Sequence, residues 1–126
     1  MKQYLQDAIL YKYKLCFRGQ EAMKELFHHG IECGDGWYQL IDDACLQIEA
    51  YLEQMFDARP DVKTPRITRI WQENDRLKIR ITPRNAYLDL LAKQYSEQSK
   101  FVCEGCGSYF KNEGIHLGRC MTNKYM

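Results

Sequence analysis

Three of the six cysteines stand within the last 24 residues, and they are spaced with a histidine as Cys103-x-x-Cys106-Gly107, then nine residues after Cys106, His116-x-x-x-Cys120. A Cys-x-x-Cys turn followed by glycine lets two thiolates converge on one ion from a tight knuckle. A second pair four residues apart points the same way from one helical turn or a compact loop. Together Cys103, Cys106, His116 and Cys120 are expected to complete a tetrahedral Cys3His shell. Zinc fits that shell best, because it accepts thiolate and imidazole without redox chemistry or a geometric preference. Four protein ligands leave no open position for water, so the metal is expected to be structural, and its binding energy to be part of folding energy. Two other readings stay open: Cys103 and Cys106 as a thiol or redox pair, and a three-cysteine site with a different fourth ligand. A redox motif normally opens a helix after a strand, whereas here Gly107 and Ser108 lead into a short loop.

The remaining cysteines, Cys16, Cys33 and Cys45, do not suggest a disulfide framework. The first thirty residues are too charged for a signal peptide, and a chain kept in the cytoplasm keeps its thiols reduced. Cys16 and Cys45 lie among apolar positions and read as small core residues. No run approaches the roughly 20 apolar residues that span a bilayer, so no membrane partner is expected. With 126 residues, 45% of them hydrophobic and 13% aromatic, the chain suits one domain over 1–126. Its parts are a helical stretch over 1–58, a β-hairpin plus helix over 59–100, and the zinc knuckle over 101–126. The fold class is therefore α+β, ending in a zinc knuckle or ribbon-like element.

Residues 2 to about 28 carry apolar groups at spacings of three and four, including Tyr4, Leu5, Ala8, Ile9, Tyr11 and Leu15, which predicts helix with a break near Gly19. Residues 28 to 37 form a glycine-bearing loop, with positive φ expected at Gly30, Gly34 or Gly36. Asp35 is placed to cap the next helix, which Trp37 opens and which runs to about Phe56. Its Asp42, Asp43, Glu49, Glu53 and Asp57 are expected on a solvated face. Residues 66–72 and 76–82 predict a hairpin turning at Glu73-Asn74-Asp75, with Leu77, Ile79 and Ile81 inward and Lys78 and Arg80 outward. Asn85 then caps a helix whose apolar side includes Leu88, Leu90, Leu91 and Tyr95.

The stretch Gly30-Ile31-Glu32-Cys33-Gly34-Asp35-Gly36-Trp37-Tyr38, followed by Leu40, Ile41 and Asp42, resembles a family of small uncharacterised phage and prophage proteins. In that family a G-[IF]-E-C-G-D-G-W motif precedes a helix, a strand pair and a helix that runs into an S-x-x-x-C-E-x-C-G knuckle. Ser99, Cys103, Glu104, Cys106 and Gly107 match the second block. The likeness covers roughly residues 28 to 107 and singles out Cys33, Gly34, Asp35, Gly36 and Trp37 as a structural motif. The chain departs from the family's K-F-G-x-L-R strand motif, reading Arg69-Ile70-Trp71 and Arg76-Leu77-Lys78, and His116 precedes Cys120 where a late Cys usually comes first. The resemblance implies a phage or mobile-element origin and this order of elements. It implies no activity.

Two functions are weighed. One is a non-enzymatic protein that docks on and modulates a host or phage protein, its site in the bacterial cytoplasm and its oligomeric state open. No nucleophile-base-acid constellation and no phosphate loop is present in the sequence; the one enzyme-like cluster, Cys33 with His28, His29 and Asp35, is explained by turn glycines and a capping carboxylate. The other is nucleic-acid binding. Residues 60–126 hold twelve Lys and Arg against seven Asp and Glu, while residues 1–59 hold six against ten. Arg69, Arg76, Lys78, Arg80 and Arg84 are the candidate phosphate contacts, and Trp71 a stacking group. A solvent-facing hairpin also needs such charges simply to resist edge pairing.

Overall fold

The computed structural model describes residues 1–17, 30–58 and 64–107, with side chains to residue 55 in the second stretch. Within them the chain is α+β, as expected: α1 (Gln3–Lys12), a 3-10 turn (Asp35–Trp37), α2 (Tyr38–Ala58), β1 (Arg66–Glu73), β2 (Arg76–Thr82), α3 (Ala86–Gln98) and a last 3-10 turn (Ser99–Phe101). None of these helices is long and apolar enough to cross a membrane.

The hairpin is the two-stranded antiparallel sheet that alternation predicts, with Ile70 opposite Ile79 and Trp71 opposite Lys78. Its turn places Asn74 and Asp75 at φ 54° and 62°, a left-handed pair that short polar side chains tolerate and that matches strand twist. A register shift between Ile67 and Arg69 spares one residue, Thr68, whose hydroxyl lies 3.3 Å from that of Thr82. Ile67, Ile70, Leu77 and Ile81 face inward and join Leu88 and Leu91 of α3 and Ile41, Cys45, Ile48 and Leu52 of α2 in the core. Asn85 caps α3 as anticipated, its Oδ1 accepting from the Leu88 amide at 3.0 Å.

Several expectations are corrected. The first helix ends at Lys12 and not near Gly19, because the next residues are claimed by other elements. The Leu15 and Cys16 amides donate to the Glu49 carboxylate at 3.2 and 3.0 Å, and the Cys16 carbonyl accepts from Ile67 at 2.7 Å. Glu49 and Asp42 are therefore bonding groups and not a merely solvated face; Asp42 accepts from Tyr13 Oη at 2.8 Å and from Lys12 Nζ at 2.7 Å. Tyr4, Tyr11 and Leu90, expected on apolar faces, are exposed. Cys16 and Cys45 are core residues as read, the Cys16 thiol donating to the Cys45 carbonyl at 3.5 Å.

Candidate functional site

The two motif blocks meet. Residues 30–33 run beside β1, with the Glu32 amide donating to the Ile70 carbonyl at 3.0 Å and the Gln72 amide to the Glu32 carbonyl at 3.2 Å. This brings the following loop against residues 102–107. The Gly34 amide donates to Glu104 Oε2 at 2.7 Å, the Gly36 amide to the Glu104 carbonyl at 2.7 Å, and the Trp37 indole to the Val102 carbonyl at 2.9 Å. Trp37 is itself fully enclosed in the core. A Cβ on Gly36 would stand 2.2 Å from the Cys103 carbonyl oxygen, and one on Gly34 2.5 Å from that of Glu104. Backbone therefore touches backbone at both positions, and no side chain fits between.

This contact explains the glycines differently from the sequence reading. Only Gly30 of the three has positive φ, at 68°, while Gly34 is extended at φ −77°; Gly34 and Gly36 are required by proximity. Asp35 does not cap the helix that follows it. The 3-10 turn has Gly34 at its N-cap with no side-chain bond, and Asp35 Oδ1 instead accepts from the Lys2 amide at 2.7 Å, at the start of α1. Glu104, not singled out from sequence as a bonding group, supplies the two acceptors that hold the loop. Its place inside the C-E-x-C motif was the signal.

Cys103 and Cys106, both half-buried, sit on the turn that the Cys-x-x-Cys-Gly spacing predicts. The Gly107 amide donates back to the Cys103 carbonyl at 2.8 Å, and Gly107 takes φ 80°, which a Cβ would resist. Two soft thiol donors on a closed turn suit one half of a tetrahedral zinc shell. The other two ligands read from sequence, His116 and Cys120, lie outside the described residues. Among the described residues no three His, Cys, Asp or Glu side chains are grouped to hold a metal. Cys33 is buried, and that burial first, then the charge of Glu104, pushes its thiol up to about 12. His28 and His29, its suggested neighbours, lie outside the described residues.

The basic hairpin residues are placed unevenly. Arg69 Nε pairs with Glu32 at 2.9 Å and its guanidinium lies over the Trp71 ring at 4.5 Å. Arg76 is 3.7 Å from Glu97, and Arg84 3.2 Å from Asp89. Arg80 is exposed and donates to Thr68 Oγ1 at 3.2 Å, while Lys78 has no acidic partner among the described residues. No family model matches the chain, and neither the curated proteins nor the solved structures contain a match to it.

Proposed function

We propose that this chain is a small non-enzymatic zinc-containing protein, of the kind that phages and mobile elements carry, which binds and modulates a host or phage protein in the bacterial cytoplasm. The observation that supports it best is the backbone joint between Gly34–Trp37 and Val102–Gly107. Zinc held by Cys103, Cys106, His116 and Cys120 would fix the knuckle from one side as the loop fixes it from the other. Such a rigid element presents a binding surface without loop-ordering cost on association. A buried thiol whose pKa is raised, as at Cys33, is the opposite of an activated nucleophile. The test is co-purification at fixed stoichiometry with a host or phage protein after nuclease treatment and a high-salt wash. A stoichiometric protein partner is expected; a partner present before the nuclease and salt steps and lost through them would contradict the reading.

Nucleic-acid binding through the hairpin and knuckle is the second reading, favoured by the exposed Arg80 and by Lys78. Against it, Arg69, Arg76 and Arg84 are each neutralised by a carboxylate of the same chain. Affinity for a generic DNA at two salt concentrations, with Arg80→Ala, tests it; a collapse with both salt and substitution would favour this reading.

A further inference from the structure

The hairpin and α3 enclose a groove of about 270 Å³, lined by Trp71 of β1, Arg76 to Ile79 of β2, and Ala92, Lys93, Ser96 and Glu97 of α3. Its apolar lining is fixed: Leu77 is fully buried, and Ile79 and Ala92 pack against the core. Trp71 is held as a wall, with Arg69 over its ring at 4.5 Å and its indole N–H donating to Glu73 at 3.1 Å. The charges are one-sided. Glu97, the one carboxylate in the lining, is bracketed by Arg76 at 3.7 Å and Lys100 at 2.5 Å, and the more distant charge of Lys93 also favours its ionised form. Lys78 and Lys93 have no acidic partner within ion-pair distance among the described residues. Ser96 is only 8% exposed, and its hydroxyl has no hydrogen-bond partner among the described residues, although its carbonyl accepts from Ser99. A buried hydroxyl is costly without a partner.

We propose that this groove is the docking point for an acidic segment of a protein partner, one Glu or Asp side chain entering with its stem on Ile79 and Ala92 and its carboxylate bound by Lys78, Lys93 and the Ser96 hydroxyl. This rests on the reading of the chain as a protein-binding module. The observations favour a peptide over a nucleic-acid strand. A strand needs cations spaced along a track, whereas Glu73, bonded to the Trp71 wall, and Glu97 in the lining repel successive phosphates. Charged pairs at the rim of an apolar pocket give specificity and speed of association more than raw affinity.

The test uses the full-length chain purified without chelator and a short fluorescent peptide rich in Glu and Leu, against its Gln-for-Glu counterpart and a labelled oligothymidine. The Glu peptide is expected to bind about tenfold or more tightly than the Gln peptide, and Lys78→Ala with Lys93→Ala to remove that preference without moving the thermal melt. Ser96→Ala, a small change in volume, is expected to weaken the Glu peptide severalfold. Equal binding of the two peptides, or an unchanged preference in the double variant, overturns the groove. If a natural protein partner binds the double variant as tightly as the parent chain, the groove falls and the protein-binding reading stands. Tighter binding of oligothymidine, lost in the double variant, overturns both.

Discussion

The Gly36 amide donates to the Glu104 carbonyl across 2.7 Å, joining the loop before α2 to the Cys-x-x-Cys turn with no side chain between them. Because that contact is backbone on backbone, Gly36→Ala must separate the two segments. A Cβ there meets the Cys103 carbonyl at 2.2 Å and the Glu104 carbonyl and Gly107 amide at 2.5 Å. A loss of about 3 kcal/mol or more is expected. Gly30→Ala is the milder comparison: it has φ 68° and its Cβ meets a side-chain end and not backbone, Gln6 Oε1 at 2.7 Å, which accepts from the Ile31 amide, so about 1–2 kcal/mol is expected. Urea denaturation of both variants checks the order, and equal losses would contradict it.

Glu49 ends the first helical segment by accepting from the Leu15 and Cys16 amides at 3.2 and 3.0 Å. Removing a charged acceptor that serves two backbone donors is expected to cost about 2–3 kcal/mol in Glu49→Ala. Glu49→Gln keeps one acceptor oxygen and is expected to cost about half as much. The same denaturation midpoints measure this, and a silent Glu49→Ala would contradict the assignment.

The Cys33 thiol moves from an ordinary value of 9.0 to about 12, chiefly through burial. A raised thiol pKa means that the folded chain holds a proton the unfolded chain releases. The associated stability is complete below pH 9.0 and is lost as pH rises from there toward about 12. Cys16, raised by its hydrogen bond with Cys45 and by burial, acts in the same direction. Melting temperature is therefore expected to fall above pH 9, less steeply in Cys33→Ala. At pH 8 Cys33 is expected to react with iodoacetamide far more slowly in the folded than in the denatured chain; equal rates would contradict its burial.

Asn85→Ala is expected to cost about 1 kcal/mol through loss of the bond to the Leu88 amide. Arg80→Ala, at an exposed site, is expected to change stability by less than about 0.5 kcal/mol. Thermal unfolding of the pair separates a helix cap from a surface charge.

What the sequence made legible were the features written locally. Strict alternation at Leu77, Ile79 and Ile81 marked a strand with one inward face, and Asn85 before an apolar stripe marked a helix start. What it hid were bonds between distant segments. No window around Leu15 contains Glu49, so the end of α1 is invisible there, and Asp35 looks like a cap until Lys2 is seen beside it. Cys103, Cys106 and Gly107 stood out by spacing alone, whereas the role of Glu104 depends on a loop from the other half of the chain. The Arg69, Arg76 and Arg84 side chains read as one basic face because their carboxylate partners, Glu32, Glu97 and Asp89, are found only in three dimensions.

The most direct test of the zinc knuckle is the metal content of folded protein purified without chelator, measured by elemental analysis. The account predicts about one zinc per chain, lost together with cooperative unfolding in Cys103→Ser. A sample that melts cooperatively, contains no zinc and has Cys103 and Cys106 fully open to alkylation would contradict it.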